Sequence, residues 1–343
     1  MMTGIAIIGA GHWGPHLVRN FSDQPSSQAL WVIDPDGNRR KAMSEKFGLL
    51  SVSGEIEDAL SDERVDAVVV ATPTSTHYEI VRRALEAGKH VLVEKPITNS
   101  LESASKLCSL ANVLGLSLMV GHVFLFNNAV RAAKDYIASE YLGKTRYISM
   151  TRTNLGPVRH DVNAAWDLAS HDISIANFWL DATPLCVTAS GGSWLNNGVE
   201  DVVVAVLRYP GDVMVHLEAS WLNPRKRRLV AVVGSERMLT IDDMDLTEPL
   251  RVYNKGVVRD DGEVITDSFA GFRSQIREGE VLIPHVTAGE PLRAECESFL
   301  RRVRGSDESI SDGWVGAEVV AALEAIDRSI ADKGREVEVA TVR

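Results

Sequence analysis

Thr3-Gly4-Ile5-Ala6-Ile7-Ile8-Gly9-Ala10-Gly11-His12-Trp13-Gly14 opens the first structural unit, and Ala29-Leu30-Trp31-Val32-Ile33-Asp34 closes it. The first run has the composition of a buried strand, a helix-like segment follows the last glycine, and a second apolar run ends in an acid. This is G-x-G-x-x-G in the context that gives it meaning: strand before, helix after, and an acidic residue about 20 positions on. Gly9 permits the tight turn, Gly11 lets backbone N–H groups approach a pyrophosphate, and Gly14 lets helix pack on strand. His12 and Trp13 share that phosphate-facing turn, and the helix N-terminus adds partial positive charge. Asp34 can accept from two ribose hydroxyls, and it would repel a 2′-phosphate. The expected cofactor is therefore NAD rather than NADP, with Arg39 and Arg40 just beyond the acid softening the preference.

The 343 residues are 45% hydrophobic and 24% charged, the balance of an ordinary globular protein, and the length suggests two domains. The net charge of −11 gives no support to nucleic-acid binding, which calls for a basic face. Cys108, Cys186 and Cys296 are odd in number and form no C-x-x-C, so neither a disulfide framework nor a zinc site is expected and the thiols read as buried and free. No metal is expected. No apolar run reaches the roughly 18 residues of a membrane span, and the chain enters its first strand without a signal-type leader, which predicts a cytoplasmic protein with no membrane partner.

Short apolar runs at 4–8, 29–33, 67–71, 90–93 and 117–120 alternate with helical patterns at about 15–21, 37–47, 55–61, 76–87 and 101–114. This predicts a doubly wound parallel Rossmann domain over residues 1–122, with Ser100 as a helix N-cap and Gly88 as a helix stop. Residues 123–343 change character. An amphipathic helix at 128–139 precedes strand-like segments at 145–153, 185–193, 201–208, 213–221, 229–234, 237–242 and 250–258. A helix at 164–180 interrupts them, and helices at 290–304 and 312–332 close the chain. The second domain is expected to be α+β, built on a large open, mostly antiparallel sheet that binds substrate and mediates oligomerisation.

His90-Val91-Leu92-Val93-Glu94-Lys95-Pro96 places Glu-Lys-Pro at a strand end, on the sheet edge where open α/β folds bind ligands. Ala71-Thr72-Pro73-Thr74-Ser75-Thr76-His77 and Gly121-His122-Val123-Phe124-Leu125-Phe126-Asn127 follow two other strands. Trp166-Asp167-Leu168-Ala169-Ser170-His171-Asp172 puts Asp167 and His171 four apart on one helix face. Together these segments resemble the glucose-fructose oxidoreductase / inositol dehydrogenase / rhizopine catabolism (Gfo/Idh/MocA) family over essentially the whole chain. The resemblance implies that Thr72, Pro73 and His77 run beside the nicotinamide half of the cofactor, with Glu94, Lys95 and Pro96 next to it. It also implies catalysis by Lys95 and His171, with Asp167 as the partner of a histidine general base. The chemistry suits these residue types: histidine titrates near neutral pH, and an ammonium stabilises a developing alkoxide. Asp172 competes for the partner role, although position i+1 points elsewhere on a helix. Family members pair their open sheets, which implies a homo-oligomer, a dimer or tetramer.

The stretch 152–167 resembles the subgroup acting on hexose rings in sugar-nucleotide and glycoside biosynthesis. That implies oxidation of a ring hydroxyl, commonly at C3, to a ketone for later transamination. Arg152, Asn154, Arg159, Asn163, Trp166 and His171 are the expected substrate contacts, with His160 in the same loop; singly, each loop residue reads equally well as loop or core structure. The basic run Arg225-Lys226-Arg227-Arg228 can meet a diphosphate or form a solvated hairpin. Acidic residues at 242–245 or Asp260-Asp261 would instead favour a cationic glycoside. Two other functions fit less well: reduction of a 3-keto-deoxysugar nucleotide with NADPH, which Asp34 opposes, and a non-catalytic NAD-binding regulator, which has no need of Lys95, Asp167 and His171 together.

Overall fold

The computed structural model describes residues 2–48, 50–156, 159, 162–195, 198–257, 276–277, 279–306 and 309–342. It divides into two compact units. Unit 1 comprises Met1–Phe126, Gly289–Glu324 and Ala340–Arg343, and unit 2 comprises Asn127–Ala288 and Ala325–Val339. A linear cut after residue 122 does not anticipate the return of 289–324 to unit 1. Tertiary packing draws that segment back: Phe299 meets Phe21 edge-on, with ring centroids 6.3 Å apart.

Among the described residues, unit 1 holds a parallel six-stranded sheet in the order β3-β2-β1-β4-β5-β6. The strands are β1 (Thr3–Ile8), β2 (Ser27–Ile33), β3 (Ser51–Ser53), β4 (Ala67–Val70), β5 (His90–Glu94) and β6 (Leu118–Gly121). β1 and β4 are buried along their whole length, as continuous apolar runs between helices should be. The helices are α1 (Gly14–Ser22), α2 (Gly37–Phe47), α3 (Ile56–Leu60), α4 (Thr74–Glu86) and α5 (Leu101–Leu114). Ser100 caps α5, its Oγ accepting from Ser103 N–H at 3.3 Å, and Gly88 follows α4 with φ +76°. β3 was not expected from the sequence.

Unit 2 begins with α6 (Asn128–Ala138) and β7 (Thr145–Thr153). The helix expected over 164–180 runs unbroken, but its first part, Ala165–Ala169, is a π-helical turn that passes directly into α7 (Ser170–Leu180). The other strands are β8 (Cys186–Gly192), β9 (Val202–Tyr209), β10 (Val213–Ser220), β11 (Arg227–Gly234), β12 (Met238–Asp242), β13 (Leu250–Tyr253), β14 (Gly256–Val257), β15 (Ile276–Arg277), β16 (Val281–Leu282) and β17 (Val337–Glu338). The expected strand 250–258 is thus interrupted after Tyr253. Among the described residues nine strands form one sheet in the order β16-β13-β12-β11-β7-β10-β9-β8-β17, mostly antiparallel, with β7 and β10 parallel at its centre. Two aromatic polar tips in the core are hydrogen-bonded: Trp179 Nε1 donates to the Val130 carbonyl at 2.9 Å, and Tyr209 Oη to Asn177 Oδ1 at 2.7 Å.

Cys108 and Cys296 are buried, Cys186 is half-buried, and none of the three is joined in a disulfide. Among the described residues no helix is long and apolar enough to cross a membrane, and no cluster of side chains has metal-ligand character.

Candidate active site

In unit 1, a cleft of about 630 Å³ opens at the carboxyl ends of β1, β2 and β4. Gly9, Gly11, Asp34, Arg39, Thr72 and Pro73 all line it. The three glycines have separate physical reasons. Gly9 has φ +104°, and a Cβ there would lie 2.4 Å from the Ala71 carbonyl oxygen. A Cβ on Gly14 would lie 2.5 Å from the Gly9 carbonyl oxygen. At Gly11 a Cβ would meet nothing within 4 Å, so the fold itself leaves that position free to have a side chain. Bare backbone there suits a group from outside approaching the turn. α1 has Trp13 at its N-cap with no side-chain cap and no acid in its first turn, which leaves its N-terminus suited to an anion.

Asp34 is buried, and its carboxylate sets the shape of the cleft. Oδ2 accepts from Ala10 N–H and Oδ1 from Asp36 N–H, both at 2.8 Å. Each oxygen keeps a second acceptor site for a ribose hydroxyl. Arg39 Nη1 lies 3.7 Å from Asp34 Oδ2 on a side chain 56% exposed. Arg40 is turned away from that role, since its Nη1 donates to the carbonyls of Asp34 and Pro35 at 2.7 and 2.9 Å and staples the turn. Ile56 and Ile80 add apolar wall that the motif reading missed. These residues fit a dinucleotide: open backbone at Gly11, a helix N-terminus, and a buried carboxylate.

β5 ends in Glu94, followed by Lys95 and a cis bond to Pro96. His77, on α4, ties this segment to the turn after β4. Its Nδ1 lies 2.9 Å from the Pro96 carbonyl oxygen and its Nε2 2.9 Å from that of Thr72. Both partners are acceptors, so a neutral ring donates to only one at a time. Glu94 retains some exposed surface as a residue, yet burial around its carboxyl pushes the pKa up to about 7 against the pull of the Lys95 charge.

In unit 2, the π-turn carries Asp167. Its Oδ2 accepts from Trp221 Nε1 at 3.2 Å and its Oδ1 lies 3.5 Å from Arg159 Nη1. His171 follows in the first turn of α7. Asp172 is committed elsewhere: its carboxylate accepts from Arg152 Nη2 at 2.7 Å and Nε at 3.0 Å, with both side chains almost fully buried. Asn163 caps the π-turn, its Oδ1 accepting from Ala165 and Trp166 N–H, while its Nδ2 donates to Glu200 and Asp327. Trp166 Nε1 donates to Asp327 Oδ2 at 2.6 Å. Asn154 Nδ2 donates to the Gly156 carbonyl. Arg228 pairs with Asp243 at 2.8 Å and Arg251 with Asp245 at 3.1 Å, so the basic run and the acidic loop partly neutralise each other. His160 and Asp260-Asp261 lie outside the described residues. Trp221 is the site residue that sequence reasoning passed over.

A model of the oxidoreductase family with an NAD-binding Rossmann fold matches residues 3–122, and a model of the GFO/IDH/MocA C-terminal domain matches residues 130–240. The chain belongs to the Gfo/Idh/MocA family. It is an NAD-binding oxidoreductase. It is 28% identical to the UDP-N-acetylglucosamine 3-dehydrogenase of Acidithiobacillus ferrooxidans, over 94% of this chain and 95% of that protein. It is 29% identical to the scyllo-inositol 2-dehydrogenase (NAD(+)) of Bacillus subtilis, over 69% of this chain and 72% of that one. Its fold matches GenD2 from gentamicin A biosynthesis, solved in complex with NAD, at a TM-score of 0.82 and 24% identity, covering 99% of this chain and 97% of that one.

Proposed function

We propose that this Gfo/Idh/MocA protein is a sugar dehydrogenase that oxidises a ring secondary hydroxyl, at C3 of a hexose, to a ketone suited to later transamination. The hexose belongs to a sugar nucleotide or an aminoglycoside-type glycoside. The observation that carries the reading is the π-turn that presents Asp167, held by Trp221 and Arg159, four residues ahead of His171. Single π-turns inside helices are often found at functional sites. The relatives that act on UDP-N-acetylglucosamine and an inositol support a cyclic polyol.

NAD, when bound, supplies the hydride acceptor. Gly9, Gly11, His12, Trp13, Gly14 and Asp34 hold its adenosine and pyrophosphate half, and the segments around Thr72 and Lys95 its other half. His171 takes the hydroxyl proton as general base. Asp167 fixes the orientation of the imidazole and favours its protonated form. The Lys95 ammonium stabilises the alkoxide as the C–H bond weakens. Arg159 and Asn154 meet ring hydroxyls, whereas Arg152, Asn163 and Trp166 position the loop through Asp172 and Asp327.

A second copy of the chain covers the open face of the nine-stranded sheet. The strand register places Tyr147, Val204 and Leu229 on one face together with Met214 and Glu218, and the three apolar residues keep about 40% of their surface exposed. Sedimentation of the purified protein tests this: a monomer at micromolar concentration overturns it.

The deciding experiment follows NADH formation with NAD and a panel of nucleotide hexoses and aminoglycosides, comparing wild type, Lys95→Ala and His171→Ala. Turnover that both substitutions abolish, with NAD binding kept, is the expected result. NAD binding without turnover on any hexose rejects the sugar dehydrogenase.

A further inference from the structure

The turn proposed to face the cofactor pyrophosphate carries a cluster of rings that backbone binding does not use. His12 and Trp13 follow Gly11, and His16 lies in the first turn of α1. The three rings pack in a triangle. Their centroids are 5.6 Å apart for His12 and Trp13, 5.7 Å for His12 and His16, and 6.0 Å for Trp13 and His16. All three residues are exposed. Among the described residues, no hydrogen bond or ion pair engages either imidazole.

The charged groups around the cluster are engaged elsewhere. On α1 itself, Arg19 pairs with Glu290, which precedes the helix Pro291–Val303 packed along α1. Asn20 donates to the same carboxylate at 3.1 Å and to the His16 carbonyl at 3.0 Å. Arg293 of the packed helix lies at the far end of α1, where its carbonyl accepts from Gln24 Nε2 at 3.4 Å. The two strands that pack on α1, β1 and β2, contain no titratable side chain. Beyond β2, Asp34 accepts from Ala10 and Asp36 N–H and has Arg39 3.7 Å away. Among the described residues no carboxylate answers the two imidazoles. A pyrophosphate would bring two negative charges to the bare backbone of Gly11, one residue before His12, and to the uncapped N-terminus of α1. An imidazole takes a proton readily when an anion is set beside it. Two imidazoles this close repel each other once both are charged, so the pair favours one proton over two.

We propose that His12 and His16 form a proton-coupled contact for the cofactor pyrophosphate: when NAD binds, the imidazole pair draws a proton from solvent, and the charge it then carries holds the diphosphate. The inference rests on a pyrophosphate placed at this turn and not on the sugar. Trp13 packs against both rings and keeps them together at the mouth of the turn. NAD affinity should therefore rise as pH falls from 8 to 6, by about fivefold, the worth of one exposed ion pair. NAD and NADH share the pyrophosphate, so the proton stays in place through the redox change.

Calorimetric titration of the whole protein with ADP-ribose tests the pair. That probe has the pyrophosphate and no nicotinamide. Repeating the titration in two buffers of different ionisation enthalpy counts the protons taken up. Near neutral pH wild type should take up about 0.4 proton per molecule bound, the uptake that a fivefold gain in affinity implies. The double variant His12→Gln with His16→Gln should take up none, and its affinity should no longer change between pH 8 and pH 6. Each single variant should lose part of the uptake. ADP-ribose that binds wild type without proton uptake overturns the proposal and leaves the cofactor site standing. Uptake that persists in the double variant places the proton elsewhere and also overturns it. A His16→Gln protein with the full uptake leaves His12 acting alone, and the pair fails. Both histidines are exposed, so the variants should melt close to wild type, and a thermal melt of each checks that the binding change is local.

Discussion

The indole Nε1 of Trp221 stands 3.2 Å from Oδ2 of Asp167, joining the end of β10 to the π-turn that carries the proposed catalytic aspartate. β10 runs parallel to β7, with Ala219 beside Arg152 and Ser220 beside Thr153. Through Trp221 the centre of the sheet fixes the aspartate, and through Arg152 it grips Asp172 one residue beyond His171.

Trp221→Phe keeps most of the buried volume and removes only the donor. Asp167 would keep Arg159 but lose one restraint, so kcat should fall by about tenfold with KM for the sugar little changed. Asp167→Asn should cost more, about 10²–10⁴ in kcat, because an amide cannot stabilise the imidazolium. Steady-state kinetics of the two variants give the order. A Trp221→Phe enzyme slower than Asp167→Asn would show that the indole has some other role.

The glycines of the first turn should separate folding from binding. Gly11→Ala meets nothing within 4 Å, so the thermal melt should stay close to wild type while NAD affinity falls by about tenfold or more. Gly14→Ala forces a Cβ to within 2.5 Å of the Gly9 carbonyl oxygen and should lower the melting temperature as well. Calorimetric titration with NAD alongside thermal melts checks both. Equal loss of stability in the two variants would contradict the open space above Gly11.

Asp34 and Arg39 together set the cofactor. Asp34→Ser removes the charge that repels a 2′-phosphate, keeps one acceptor for Ala10 N–H, and leaves Arg39, now 3.7 Å from Asp34, with Asp36 as its remaining acidic neighbour. The ratio of kcat/KM for NADP over NAD should rise by at least about tenfold. Adding Arg39→Ala should take most of that gain away. A double variant as good with NADP as the single one would leave Arg39 without a role.

The parallel domain could be read from the sequence because buried strands and glycine turns leave local marks: Ile5–Ile8, Val68–Val70 and Gly9 each carry their own signal. Ser51-Val52-Ser53 does not. A three-residue strand with one apolar residue has no periodicity to detect, and it pairs only because β2 is already in place. The π-turn was hidden for a related reason, since five residues are too few to tell its period from an α-helix. By residue type alone Arg152, Asn163 and Trp166 read as sugar contacts, and the sequence does not show which protein groups they also hold. Their partners, Asp172, Glu200 and Asp327, are set by tertiary packing. The return of 289–324 to unit 1, which buries Phe299 against Phe21, is equally non-local.

The Arg152–Asp172 pair should prove structural when broken. Arg152→Met leaves a buried carboxylate without its partner and should destabilise the protein by about 3–5 kcal/mol. Arg152→Met with Asp172→Leu should recover much of that loss, because an apolar pair carries no desolvation penalty. Urea denaturation of wild type, single and double variants forms the cycle. A single variant as stable as wild type would return Arg152 to the candidates for substrate contact.

His122 should dominate the response of the fold to acid. Its pKa falls from 6.5 to about 3 on folding, because burial and the Lys95 charge disfavour the imidazolium. A depressed pKa contributes stability that is complete above 6.5 and is lost as pH falls towards 3, at most of order 5 kcal/mol. Glu94 works in the opposite sense. Its pKa rises from 4.5 to about 7, so its contribution is complete below 4.5 and is lost as pH climbs through 7. Between 6.5 and 4.5 the two partly cancel, and below 4.5 the histidine acts without that offset. His122→Phe should therefore be more stable relative to wild type at pH 4 than at pH 8, as read from urea midpoints at each pH. Parallel midpoint curves for the two proteins would mean that His122 is not held neutral in the fold.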